Sequence, residues 1–164
     1  MGGDRVIGVG MDYSPMSKSA VKWAVDNLAD AGDRIVLIHV HSGKSDHSQK
    51  KLWEGTGSPL VPLEEFREIS VSKQYGVTPD ADFLDVLAMA SSAKQVVVMA
   101  KIYWGDPREK LCDAADDFKL DSLVVGSRGL GMIKRVLIGS VSNYVVLNAT
   151  CPVTVVKGTP THKF

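Results

Sequence analysis

Five short apolar runs alternate along this chain with stretches whose apolar residues recur at helical spacing. The runs are Arg5–Met11, Arg34–Val40, Gln95–Ala100, Asp121–Val125 and Pro152–Val156, and valine and isoleucine dominate them. Strands with no polar alternation are buried on both faces, which implies a parallel sheet covered by helices on each side. The intervening stretches fit that covering role. Ala20, Val21, Ala24, Val25 and Leu28 form one helical stripe, opened by Ser14 as cap and Pro15 at the first position, and ended by Gly32. Asp106 and Pro107 open another, with Leu111, Cys112, Ala114, Ala115 and Phe118 on its inner side. Asp82–Ala93 and Gly139–Asn148 complete the set. The sequence therefore predicts one α/β domain over residues 1–164, with its core in 5–157 and no internal repeat.

Residues 42–78 break this regularity. A polar segment from Lys44 to Lys51 is followed by Trp53, Gly55, Gly57, Pro59 and Pro62, and Leu63–Lys73 reads either as a short helix or as part of a mobile excursion. So long an insertion in a compact domain is either a functional lid or simply disordered.

Charge narrows the partners. Lys plus Arg and Asp plus Glu number 19 each, so there is no basic excess to hold a nucleic acid or an anionic membrane, and no basic, aromatic-interleaved stretch. No apolar run reaches the roughly 20 residues of a membrane helix, and no secretory signal is visible, which gives a cytoplasmic expectation. Cys112 and Cys151 are far apart with no metal-ligand spacing, and read as reduced thiols.

The stretch from Val124 to Ser142 carries the chemistry. An apolar strand opens into a loop at Gly126, Gly129 follows, and Gly139-Ser140 heads the last helical segment. A strand feeding a glycine loop and then a helix leaves unpaired N–H groups and a positive dipole end near one point, a site suited to phosphate. The spacing is neither the dinucleotide fingerprint nor the Walker loop. Val125, Val141 and Ser142 flank these glycines, Ser142 as a second hydroxyl, and Arg128 supplies a guanidinium of phosphate-matching geometry. Lys134 and Arg135 either join it or are merely exposed cations.

G-x-x-G-x(9)-G-S after a hydrophobic strand resembles the ATP-binding signature of the universal stress protein family. The opening Val9-Gly10-Met11-Asp12-Tyr13-Ser14 and the closing Cys151-Pro-Val-Thr-Val-Val156 resemble that family at the matching ends. Tyr103–Leu111, Gly57–Arg67 and Gly126–Leu130 look like its plant members. The resemblance implies an open, Rossmann-like five-stranded parallel sheet in the order 3-2-1-4-5. It also implies an adenine nucleotide, ATP or AMP with or without Mg²⁺, held by Gly10, Met11, Asp12, Val40, Val125, Gly126, Arg128, Gly129, Gly139, Ser140, Val141 and Ser142. Asp12 would touch the adenine and ribose side, or else only cap the turn that follows. Val40 would offer its backbone to the base. A homodimer through the last strand, at Val153 and Val155, is implied as well, that strand being an edge prone to pairing.

His39 and His41 share a strand face, but with no third ligand at sensible spacing they read as structural or exposed. Trp53, Tyr103 and Trp104 could stack on a base, though core packing is the commoner fate of an aromatic. Asp116-Asp117 reads as a solvated helix end. Without a Walker-type carboxylate or a base, the chain reads as a regulatory nucleotide-binding protein rather than an enzyme. Slow ATP hydrolysis and a nucleotide-independent chaperone or scaffold are the alternatives.

Overall fold

The computed structural model describes residues 4–41, 55–77, 80–127 and 139–157. In chain order the strands are β1 (Val6–Gly10), β2 (Arg34–His41), β3 (Val61–Pro62), β4 (Val97–Trp104), β5 (Ser122–Gly126) and β6 (Val153–Val156). The helices are α1 (Pro15–Trp23), continued by a π-helical turn at Ala24–Leu28, then α2 (Leu63–Phe66), α3 (Ile69–Gln74), α4 (Ala81–Lys94), α5 (Pro107–Asp117) and α6 (Ser140–Asn148).

The sheet runs β3-β4-β2-β1-β5-β6. All pairings are parallel except β3 with β4. Set aside the two-residue β3, and the five parallel strands stand in the 3-2-1-4-5 order implied by the resemblance. Alternation along each strand divides the core between the two faces. Ile7, Val9, Ile35, Leu37 and Val124 pack with Ala20, Val21, Leu84 and Leu87 of α1 and α4 on one side. Val36, Ile38, Leu123 and Val125 pack with Leu111, Ala114, Ala115 and Val145 of α5 and α6 on the other.

Local chemistry sets the ends as the sequence predicts at two helices. Ser14 accepts from the Ser17 N–H ahead of Pro15, and Asp106 accepts from the Arg108 N–H ahead of Pro107. The reading differs elsewhere. The third parallel strand does not stop at Ala100: it pairs with β2 as far as His41↔Trp104, so Tyr103 and Trp104 are buried strand residues. The turn falls to Gly105, whose φ of 141° a side chain would resist. The Leu63–Lys73 segment divides into α2 and α3.

The described part of the 42–78 insertion contributes side chains to the core. Val61, Leu63, Phe66, Tyr75 and Val77 are buried under the β4 edge, and the Ser58 N–H and hydroxyl bond to Ile102 at 2.7 and 2.9 Å. An apolar side chain every few residues secures this segment, although its glycines and prolines disguise it. Residues 42–54, including Trp53, lie outside the described residues. Asp116 and Asp117 have partners, since Asp116 accepts from the Thr150 hydroxyl at 2.6 Å and Asp117 from the Tyr103 hydroxyl at 2.9 Å.

At the amino ends of the strands, Asp33 is fully buried. Its carboxylate takes the Arg5 Nε and Nη2 hydrogens at 3.1 and 2.8 Å and the backbone N–H groups of Arg5 and Asp30 at 3.1 and 2.8 Å. A buried carboxylate needs that many donors. This network stabilises the end of the sheet opposite the cleft described next.

Candidate functional site

Strands β1 and β5 are neighbours, and the chain passes to β2 on one side of β1 and to β5 on the other. Their carboxyl ends part at this switch point, where ligands bind in open α/β sheets. A cleft of about 370 Å³ lies there. Its walls are Gly10 at the end of β1 with Met11 and Asp12 beyond it, Val40 on β2, Val125 and Gly126 on β5, and Gly139, Val141 and Ser142 at the start of α6. Nine of the twelve residues named from the sequence are thus brought together. Ser140 is exposed and outside the lining, while Arg128 and Gly129, with Lys134 and Arg135, lie outside the described residues.

Each wall has a physical cause. Gly126 is glycine because α1 crowds it: a Cβ there would stand 3.0 Å from the Met16 carbonyl oxygen and 3.1 Å from its carbon. The demand comes from helix–strand packing. Gly139 caps α6 with no side chain to receive its first N–H groups, so the positive end of that helix faces the cleft without a side-chain cap among the described residues. Ser142 is buried, and its hydroxyl lies 3.0 Å from the Gly139 carbonyl and 3.2 Å from that of Ser127. Together with the Gly139 N–H bond to Ser127, this pins the two ends of the glycine loop.

Asp12 fixes the turn after β1 and stands in the cleft wall. One carboxylate oxygen accepts from the Ser14 N–H at 3.0 Å. Its own N–H meets the Ser17 hydroxyl at 3.3 Å.

Seven further wall residues escaped the sequence reading: Ser17, Ile38, His39, His41, Pro107, Leu111 and Ser127. The two histidines stand at the carboxyl end of β2, and that position was the available signal. His39 Nδ1 lies 2.8 Å from the Met11 carbonyl, and His41 Nε2 2.8 Å from the Tyr75 carbonyl. A carbonyl only accepts, so both nitrogens carry hydrogen. Burial pushes the His39 imidazole down to about 4, overcoming the upward pull of the Met11 carbonyl, so the ring is neutral near pH 7. His41 stacks on Trp104 at 5.8 Å, and no group of three or more His, Cys, Asp or Glu side chains among the described residues could hold a metal ion. Tyr103, bonded to Asp117, packs in the core layer under α5 and α6 and stays outside the lining.

Apolar walls with a few convergent polar groups suit a flat, polar-edged ring with an anionic tail. Ile38, Val40, Leu111 and Val125 supply the apolar area; Asp12 and the open α6 terminus supply the polar contacts.

A doubly wound α/β protein with its cleft at the switch point is the class that fold and site define. The model of the "Universal stress protein family" matches residues 5–157, and the chain belongs to that family. The universal stress protein PHOS34 of Arabidopsis thaliana is 34% identical over 95% of this chain, which spans 63% of that relative's length. PHOS32 of the same plant is 32% identical over 95% of the chain, which spans 66% of its length. Among solved structures, hypothetical protein MJ0577 superposes with a TM-score of 0.63 at 22% identity, covering 94% of this chain and 96% of that one. A universal stress protein family protein from Arabidopsis thaliana, solved with AMP bound, gives a TM-score of 0.56 at 25% identity, covering 94% and 92%.

Proposed function

We propose that the cleft binds an adenine nucleotide, ATP or AMP, and that nucleotide occupancy regulates the assembly of the chain or its binding to a partner. The observation that carries this reading is the convergence of Asp12 and the uncapped α6 terminus on one apolar-walled cleft. The AMP-bound relative supports it. The base lies against Ile38, Val40 and Leu111, with the Val40 backbone at its edge and Asp12 toward adenine and ribose. The phosphates lie toward Gly126, Gly139 and Ser140; Gly129 and Arg128 join them as the family signature implies, and Arg128 and any Mg²⁺ would offset their charge.

The chain acts as a regulator rather than an enzyme in this reading, within the cytoplasm. Its dimer forms along β6, the sheet edge, where Val153 and Val155 are half-buried and Val146 and Leu147 of the adjacent α6 are exposed.

Isothermal titration with AMP and ATP, run beside sedimentation of the same samples, tests the reading. Wild type is expected to bind and to change its association state, with at least tenfold weaker binding in Asp12→Ala of unchanged circular dichroism. Absence of binding to either nucleotide at millimolar concentration would overturn it.

A further inference from the structure

We propose that His39 is a positioning residue of the cleft, fixing through its Nδ1–H bond to the Met11 carbonyl the turn that aims Asp12 at the ligand. The proposal rests on the reading of the cleft as an adenine-nucleotide site. Its grounds are the backbone accounting at the end of β1. That strand leaves its last β5 pair at Val9↔Val124 and its last β2 pair at Gly10↔Ile38. The Met11 N–H still reaches the Ile38 carbonyl, at 2.8 Å, but the Met11 carbonyl has passed beyond the ladder. Met11 is only 3% exposed, so its carbonyl needs a partner from the protein. The imidazole of the next β2 residue provides one, at 2.8 Å.

From the helix side the Ser17 hydroxyl takes the Asp12 N–H, and the Asp12 carboxylate takes the Ser14 N–H. The Met11-Asp12 pair is thereby held from two elements at once. The ring that does the holding is itself held. The His41 imidazole meets it edge-on with centroids 4.7 Å apart, and the Tyr13 ring lies at 6.0 Å. An apolar residue at position 39 would fill the space but orphan the Met11 carbonyl. The turn would then seek another acceptor geometry and carry Asp12 with it. Displacement of a binding group by about 1 Å is enough to lose most of its contribution.

Asparagine and glutamine separate this role from packing. The Asn Nδ2 stands where His Nδ1 does along the side chain, whereas the Gln amide lies one bond too far. The full-length chain is compared as wild type, His39→Asn, His39→Gln and His39→Leu. Two readouts are taken: amide exchange across residues 11–14 without nucleotide, and titration with AMP. Expected are faster exchange and at least tenfold weaker AMP binding in His39→Gln and His39→Leu, with both restored near wild type in His39→Asn. Wild-type exchange in His39→Gln, or a His39→Asn variant as weak as His39→Gln, would overturn the proposal; should the leucine variant not fold, the amide pair decides. If wild type binds no AMP, the nucleotide reading falls, and exchange alone judges His39.

Discussion

Acidification should expose the neutral His39 as a stability debt, and its size can be worked from the fold. The imidazole ionises at about 4 in the folded chain against 6.5 for an exposed histidine, because burial disfavours the charged ring. The unfolded chain therefore binds the proton more tightly. Above about pH 6.5 neither state is protonated and the contribution is constant; as pH falls toward 4, protonation of the unfolded chain alone draws the equilibrium its way. At about 1.4 kcal/mol per pH unit, the full interval costs about 3 kcal/mol, of which about 2 kcal/mol is lost by pH 5. Against a typical stability of about 5–15 kcal/mol this is a large share. Asp12 and His41 act on the same ring, Asp12 raising and His41 lowering its affinity for the proton. The clean measurement is thus a difference. Urea unfolding of wild type and His39→Asn at pH 7.5 and pH 5 should show the wild-type advantage shrinking by about 2 kcal/mol. A difference that stays constant within about 0.5 kcal/mol, or a His39 NMR titration with its midpoint above 6, would refute the reasoning.

Two other perturbations follow from the packing. Gly126→Ala places a Cβ against the Met16 backbone, which cannot swing aside as a side-chain tip would, and should cost about 2 kcal/mol in a urea melt. Asp33→Ala strips the Arg5 guanidinium and two backbone N–H groups of their common acceptor, and should cost about 3 kcal/mol while leaving AMP affinity unchanged, because it lies at the far end of the strands. Calorimetric titration of the Asp33→Ala variant checks the second half of that statement.

Much of the site was legible because it is written in chain punctuation. Asp12 follows the first apolar run, Gly126 closes the fourth, and Gly139 heads the last helix, so the carboxyl-end rule alone assembles three walls of the cleft. What escaped was whatever depends on a neighbour distant in sequence. Pro107 and Leu111 read as the start and inner stripe of a helix; that the same helix also walls the cleft follows from its packing over β2 and β1. The place of His39 at the end of β2 marked it for the cleft but not its bond, because its partner, the Met11 carbonyl, is a backbone atom, and backbone atoms leave no mark in residue identity. Gly126 was legible as a glycine, but its crowding by the Met16 backbone was not.

The alternation of apolar runs with helical stripes determined a parallel, two-sided sheet, and the glycine spacing determined which strand end opens into the cleft. Period and turn chemistry are local properties that a chain carries with it. Only the tertiary structure decided that Val61, Leu63, Phe66, Tyr75 and Val77 belong to the core, that the Ser142 hydroxyl pins a loop, and that a neutral histidine satisfies the carbonyl just beyond β1. Each of those outcomes depends on which distant atom lies within about 3 Å, and only the packed chain sets that distance.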